Sequence, residues 1–552
     1  GSPVNARMRE TPDAQAVRQT ETVSRWPSKT VLALLALIVI GGVALRAWNV
    51  LERPLWEDEA YTWKDSRVPL WWLVWWKHDP AHGPASHLLV RGSMELFGTD
   101  DVRAMRLPAF LCGILCIGVA FRLGRTIHGD ALGLATAALV AVDPNMVDQS
   151  QQARMYTMLA LASMLVLDQA IRVLRVAPEQ RRPWIVLGLL LAAQFWINFG
   201  AIAPWAALAV TAAATALTAY RAGGPGVERA RRIARGTAIA YGWALLLSAR
   251  GLWRMIVFIR SDRGITTTSA AETLRAIWRG FEQVTGSGSA AVVVLAAAIV
   301  GLCVLGRRAR IAALVLAATA LVTLVMIYAG RSVHHMIALR YFTVMQPAIW
   351  IALAALVVLL PNRLLRCGSA AGLIALLAVQ AWQSAHVDHW VDVNTWRYTR
   401  AASRFIAEER QPGDLYLCTP ITNFGTVASY YGLFRPDDER LQQHMQDRAP
   451  LPPELDGRTT WIQAFMFDAR AETELQAFLD VWNTGRASPD GDQRVLAAVR
   501  DKGLALARIS NDRFETWVYD AQRDDFRPAG TITLRADEPV RAASGPVPAG
   551  PQ

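Results

Sequence analysis

The sequence predicts a polytopic α-helical membrane protein of about eleven spanning helices, followed by an extracytoplasmic α/β domain. Three observations predict it. Hydrophobic residues make up 53% of the 552 residues and charged residues only 19%, with a mean hydropathy of +0.21, whereas a soluble domain carries about 25% charge. The apolar residues come in blocks of about 17–25, the length a helix needs to cross a bilayer. Arginines collect in every second loop between those blocks, the bias that orients membrane proteins. This composition excludes a soluble enzyme, a disordered chain and a fibrous protein. The net charge of +11 does not indicate nucleic acid, because no basic stripe interleaves with aromatics on a soluble segment.

Residues 1–7 (GSPVNAR) read as an expression scar before Met8, and 1–30 as a basic cytoplasmic segment rather than a signal peptide. The block 31–50 has no small-residue cleavage site after it and reads as a retained anchor. Further spans are expected at 105–121, 129–146, 155–171, 184–201, 203–220, 236–252, 289–306, 311–329, 343–360 and 369–385, giving a membrane module over 31–385. With Arg9, Arg18, Arg25 and Lys29 in the cytoplasm, the basic loops all fall on that side. They carry Arg122 and Arg125; Arg172, Arg175, Arg181 and Arg182; Arg221, Arg229, Arg231, Arg232 and Arg235; Arg307, Arg308 and Arg310; Arg363 and Arg366. An odd number of spans then places the chain beyond 386 outside.

The outer loop 51–104 holds Trp56, Trp63, Trp71, Trp72, Trp75 and Trp76 within 21 residues. Tryptophan favours the interface, so 60–77 and 84–97 read as helices lying on the membrane surface. After 386, short apolar strands alternate with helix-like stretches at 414–420, 426–434, 459–468, 471–482, 505–509 and 514–520, an α/β domain over 386–535. The tail 536–552, rich in Pro, Ala and Gly, reads as disordered. Of the cysteines Cys112, Cys116, Cys303, Cys367 and Cys418, only Cys418 falls in the outer domain, so no disulfide framework or zinc spacing exists there. There is no internal repeat, phosphate loop, dinucleotide fingerprint or HExxH.

Ionisable groups at a membrane face are costly and therefore functional suspects. Four clusters land on the outer side. They are Glu57-Asp58-Glu59; His78-Asp79 with His82, Gly83 and Pro84; Asp143 through Asp148, Gln149 and Gln152 to Arg154 and Tyr156; and His334-His335 with Arg340-Tyr341. A carboxylate that takes a hydroxyl proton creates a nucleophile. Arginine and histidine hold a phosphate through charge-assisted hydrogen bonds. A phosphate beside interfacial helices belongs most naturally to a lipid. His78 and His82 have i,i+4 spacing, but Pro80 between them and Gly83-Pro84 after them weaken a metal reading.

The run Trp56-Glu57-Asp58-Glu59-Ala60-Tyr61 resembles the acidic motif of the GT-C glycosyltransferases, closest to the bacterial protein O-mannosyltransferase and aminoarabinose-transferase branch. His78-Asp79-Pro80-Ala81-His82-Gly83-Pro84 is similar to that branch's Asp-x-His-Pro-Pro segment. Asp143-Pro144 followed by Ser150-Gln151-Gln152-Ala153-Arg154-Met155-Tyr156 resembles its Ser-Gln-Glu-Ala-Arg-Met-Tyr segment, with Gln152 in place of Glu. Leu339-Arg340-Tyr341-Phe342, entering a helix with Pro347, is similar to its late Arg-Tyr motif, and Phe514 to Tyr519 to its closing strand.

The resemblance implies a GT-C-like fold in a bacterial inner membrane, a polyprenyl-phosphate-linked sugar donor, and an outer acceptor hydroxyl on a glycan, lipid or protein, with inversion at the anomeric carbon. Asp58 matches the catalytic base and Glu59 its companion. Arg154 matches a donor-phosphate contact, joined by His334, His335 and Arg340. His78, Asp79, His82, Asp143, Asp148, Tyr156 and Tyr341 are further substrate-binding candidates. No cofactor is required, and a divalent metal is compatible, although Gln152 removes one carboxylate. Three rivals stand beside this reading: a transporter or flippase of a lipid-linked sugar, which broken helices and inverted repeats would favour; a glycan polymerase or ligase using a lipid-diphosphate donor; and a catalytically silent partner protein. The hydropathy shows neither broken helices nor inverted repeats, and the intact Asp58-Glu59 pair argues against a silent partner.

Overall fold

The computed structural model describes residues 27–48, 50–51, 53–75, 82–261, 269–285, 289–329, 339–386, 393–419, 421–446, 452–455, 458–465, 504–510, 513–520, 523 and 525–533. In chain order its helices are α1 Lys29–Ala47, α2 Glu57–Ser66, α3 Leu70–Trp75, α4 Ala85–Phe97, α5 Val102–His128, α6 Asp130–Val142, α7 Pro144–Ser150, α8 Tyr156–Val176, α9 Arg182–Ile197, α10 Ile202–Arg221, α11 Pro225–Ser261, α12 Ala270–Thr285, α13 Ser289–Arg308, α14 Arg310–Ala329, α15 Gln346–Leu359, α16 Arg363–His386, α17 Val393–Glu409, α18 Ile421–Tyr430 and α19 Pro436–Gln446. The strands are β1 Leu415–Thr419, β2 Thr460–Phe465, β3 Leu504–Ser510, β4 Arg513–Asp520 and β5 Asp525–Thr533. The chain divides into two compact units, Gly1–Val50 with Val68–His389, and Leu51–Arg67 with Trp390–Gln552.

In the first unit every expected apolar block falls on a helix, but the count of eleven spans is not confirmed. Among the described residues, six helices are long and apolar enough to cross a membrane: α1, α5, α8, α10 with its preceding turn, α13 and α14. The pair α6 and α7, bent by 60° at Asp143–Pro144, is apolar enough only when taken together, as a broken span or a re-entrant loop. Asp143 leaves the helical conformation, with φ −59° and ψ 120°, and caps α7, and Pro144 supplies no donor to continue α6. The helices α9 and α15 are apolar but shorter: α9 stops at the extended Asn198, and α15 begins after a 3-10 turn over Leu339–Val344. Arginines dilute α11. α5 and α6 form a tight antiparallel pair. A Cβ on Gly133 would lie 2.6 Å from the Phe121 carbonyl, and one on Gly124 2.8 Å from the Leu132 carbonyl. Only small residues allow helices this close.

The arginines expected to set orientation also close helix ends. Arg175 Nη1 donates to the Thr126 carbonyl at 2.8 Å, and Arg229 Nη2 to that of Arg175 at 2.9 Å. Carbonyls in a last helical turn lack intrahelical donors, and cations there also suit the dipole.

The second unit combines a small C-terminal sheet and its helices with the segment Leu51–Arg67 that carries α2. Its five-stranded sheet runs β1-β2-β3-β4-β5, with β1 and β2 parallel and the remaining pairs antiparallel. Strands form at 414–420, 459–468, 505–509 and 514–520, α18 covers the first part of 426–434, and 471–482 and the tail 536–552 lie outside the described residues. Phe405 of α17 packs on Trp461, Trp517 and Phe526 of the sheet, with ring centroids 5.5–6.1 Å apart. A buried ion pair joins Arg410 Nη2 to Asp438 Oδ1 at 2.7 Å. Asp438 also accepts the Arg435 and Tyr416 backbone N–H groups, both at 2.8 Å, the reach-back of a third-position acid in a helix cap. The outer loop expected to hold a helix over 60–77 instead holds α2 and α3, separated at Pro69, and α4 occupies the second expected stretch.

Candidate active site

The break between α6 and α7 opens a run, 143–156, in which every residue is buried. Most of its polar side chains therefore find partners within the protein. Asp143 Oδ1 accepts the Met146 N–H at 2.8 Å and Oδ2 the Trp350 indole N–H at 3.1 Å. Gln149 Nε2 donates to Asn145 Oδ1 at 2.8 Å and to Thr343 Oγ1 at 3.2 Å. Gln152 Nε2 donates to Asp148 Oδ2 at 2.7 Å. An ionised glutamate at 152 could not make that bond, so the departure from the family's acidic residue has a local counterpart in Asp148.

Arg46, fully buried in α1, holds this run in place. Its Nη1 donates to the Gly42 and Ala141 carbonyls at 3.0 and 2.8 Å, Nη2 to Val140 at 3.0 Å, and Nε to Ser150 Oγ at 3.2 Å. Gln151 Nε2 returns the contact, donating to the Arg46 and Trp48 carbonyls at 3.1 and 2.7 Å. The break strips the last carbonyls of α6 of their helical donors, and a guanidinium with five rigid donors replaces them.

Arg154 stands just before α8 at 5% exposure, its guanidinium carbon 5.9 Å from the Tyr156 ring centroid. His82 forms a bridge with Asn198 at the break between α9 and α10, and the Gly83 N–H donates to the Ile197 carbonyl at 3.2 Å. A Cβ at Gly83 would lie 1.8 Å from the Trp196 carbonyl, which explains the Gly in His82-Gly83-Pro84. Among the described residues, Asn145 Nδ2, Asn198 Nδ2 and both amide atoms of Gln346 are buried without a hydrogen-bond partner. Each such group costs on the order of 1–3 kcal/mol.

In the second unit, Glu57, Asp58 and Glu59 fill the first turn of α2, where the helix dipole favours negative charge. Asp58 is half-buried and Glu59 fully buried. Burial pushes the Tyr61 phenol above its usual range, against the lowering effect of its hydrogen bond with Thr426.

The structure thus gathers Asp143, Asp148, Arg154 and Tyr156 in one buried run and sets His82 against Asn198. Asp58 and Glu59 lie together on α2. His78, Asp79, His334 and His335 lie outside the described residues, and Arg340 and Tyr341 sit in the 3-10 turn with side chains outside them. No group of three or more His, Cys, Asp and Glu converges as metal ligands among the described residues. Sequence reasoning missed Arg46 and Asp168. Asp168 is buried and paired with Arg122 at 2.7 Å and Arg172 at 3.1 Å. Their signal was available: each is an ionisable residue inside an expected span.

The fold is that of the GT-C glycosyltransferases, a multi-pass membrane class. Residues 81–221 match the family described as dolichyl-phosphate-mannose-protein mannosyltransferase. ArnT from Cupriavidus metallidurans bound to undecaprenyl phosphate is similar at 15% identity, with a TM-score of 0.51, over 78% of this chain and 93% of that one. Its apo state gives 14% and 0.51 over 78% and 92%. The archaeal oligosaccharyltransferase AglB from Archaeoglobus fulgidus, in complex with an inhibitory peptide and a dolichol-phosphate, gives 11% and 0.50 over 91% and 74%. No curated protein matches by sequence.

Proposed function

We propose that this protein is a membrane glycosyltransferase that moves a sugar from a polyprenyl-phosphate donor to an acceptor hydroxyl outside a bacterial inner membrane, with inversion. The observation that carries the reading is the buried polar run 143–156, with Asp148 and Arg154, inside the stretch that matches the mannosyltransferase family. Relatives of this fold hold undecaprenyl phosphate and dolichol-phosphate, which supports a lipid phosphate on the donor.

In the proposed step the acceptor oxygen forms a bond to the anomeric carbon and the bond to the phosphate oxygen breaks. The hydroxyl proton passes to the Asp58 carboxylate. The leaving polyprenyl phosphate needs no proton at neutral pH. Its charge is held by Arg154, with His334, His335 and Arg340 as further contacts. Glu59 orients Asp58 or the acceptor. His78, Asp79, His82, Asp143, Asp148, Tyr156 and Tyr341 remain candidates for contacts to the sugar, and no cofactor enters the step. The N-terminus lies in the cytoplasm and the α/β domain in the periplasm.

The donor's tail has a candidate berth. A cavity of about 410 Å³ opens among α13, α15 and α16, lined by Val294, Ala297, Leu353, Leu356, Val357 and Leu373. Helix α15 also carries Trp350, which bonds Asp143, only three residues before Leu353.

Sugar transfer by the full chain in vesicles, from a panel of undecaprenyl-phosphate-linked hexoses, tests the reading. Asp58→Asn lowers turnover by about 10²–10⁴-fold, the share of general-base catalysis, with undecaprenyl phosphate binding retained. Glu59→Gln is intermediate and Glu57→Gln mildest. Full turnover in Asp58→Asn removes the base. The break at Asp143–Pro144 is a feature that favours the transporter reading. Movement of the intact lipid-linked sugar across vesicles, without transfer, would establish that instead.

A further inference from the structure

We propose that the C-terminal α/β domain positions the reactive carboxylates, with Tyr61, Trp63, Thr426 and Tyr430 as the positioning residues. The inference rests on the reading of Asp58 as the base, and it gives the outer domain a role besides acceptor binding.

Helix α2 has 10 residues and no side-chain cap at Trp56, whereas an isolated helix in water needs roughly 12–15 to be marginally stable. Its shape and direction therefore depend on what it packs against. Within its own unit that partner is α18, more than 350 residues later in the chain. The Trp63 ring meets the Tyr430 ring edge-on, with centroids 5.4 Å apart. The other bond is the one between Tyr61 and Thr426.

The spacing links these contacts to the acids. Tyr61 follows Glu57 by four residues and Asp58 by three, and Trp63 follows Glu59 by four. Residues three and four apart share a helix face. The contacts that fix Tyr61 and Trp63 therefore set the rotation of the turn bearing Glu57, Asp58 and Glu59. The Thr62 hydroxyl adds stiffness by donating to the Asp58 carbonyl at 2.9 Å. Catalysis is sensitive to such placement, since an error of about 1 Å costs up to about 10²-fold. A domain that lets go of α2 would leave donor binding intact and slow the chemical step.

The test uses the full chain in vesicles and compares Tyr430→Ala, Tyr430→Phe and Thr426→Val. Thr426→Val keeps the side-chain shape and removes only the hydroxyl, so it remains informative if Tyr430→Ala does not fold. Amide hydrogen exchange is read over 57–66, with 102–128 as internal control. Kinetics use the undecaprenyl-phosphate hexose panel, and binding uses undecaprenyl phosphate alone. We expect Tyr430→Ala to speed exchange over 57–66 about tenfold and lower kcat about 10–100-fold. Donor KM and lipid-phosphate binding stay within about twofold. Tyr430→Phe, which keeps the ring contact, restores kcat, and Thr426→Val shows a smaller loss of kcat with the same split. Unchanged exchange over 57–66 overturns the proposal. So does faster exchange with unchanged kcat, or a Tyr430→Phe variant as impaired as Tyr430→Ala. Asp58→Asn measured alongside separates the two readings: full turnover there defeats the base assignment, whereas its loss with an unaffected Tyr430→Ala defeats only the positioning role.

Discussion

Arg46 and Ser150, 104 residues apart, are joined by a buried hydrogen bond from the guanidinium Nε to the hydroxyl at 3.2 Å. The same guanidinium satisfies the Val140 and Ala141 carbonyls at the broken end of α6. Replacing it by methionine keeps the bulk and leaves those carbonyls without this donor, at a cost on the order of 1–3 kcal/mol each. Arg46→Met should therefore lower the thermal unfolding midpoint of the purified protein. A midpoint equal to that of the parent would show that the break is held by packing alone.

Arg154 lies buried where the chain enters α8. If it holds the donor phosphate, Arg154→Ala weakens undecaprenyl phosphate binding by about 1–3 kcal/mol, the scale of a charged hydrogen bond. An unchanged Kd assigns Arg154 a structural role only.

The Gln152–Asp148 contact makes a pH-dependent prediction. Gln152→Glu would bring two buried carboxylates together at the present 2.7 Å contact, and like charges raise the pKa of one of them in the folded state. The unfolded value for Glu is about 4.3. Stability would thus be retained below about pH 4.3 and lost as pH rises through the elevated folded value. Unfolding midpoints across this range should fall with pH in the variant relative to the parent. Parallel curves would mean that the two side chains separate or hydrate.

Leu356 lines the cavity on α15. If a polyprenyl tail lies there, Leu356→Trp displaces part of it. Losing two buried methylene groups, at about 0.8 kcal/mol each, raises KM roughly tenfold for long-chain donors. Two-isoprene donors should be unaffected. An equal effect on both chain lengths would place the tail elsewhere.

Much of the fold could be read locally. Apolar blocks became helices because length and composition suffice to specify them, and Asp143–Pro144 marked a helix end because proline removes a donor and aspartate caps. The segment 426–434 was harder: Thr426 to Tyr430 lies in α18, and no local pattern showed that it would pack on α2. The count of eleven spans stays unconfirmed: among the described residues six helices, or up to seven with the bent pair, meet the length and apolarity of a span, and α9 and α15 are apolar but shorter. Arg46 and Asp168 escaped notice because a single charge hardly alters the character of a 20-residue apolar block.

The sequence by itself determined the membrane class, the alternation of basic loops, the strands around Leu415, Trp461, Leu506 and Phe514, and the residues worth testing. These follow from composition and short-range pattern, which act over a turn or a strand. Only the tertiary structure decided that α2 belongs with the C-terminal domain, that Gln152 serves Asp148, and that Arg46 holds the broken end of α6. Hydrogen bonds and ring contacts form between whichever groups the packed chain brings within about 3–6 Å, and sequence separation places almost no limit on that choice.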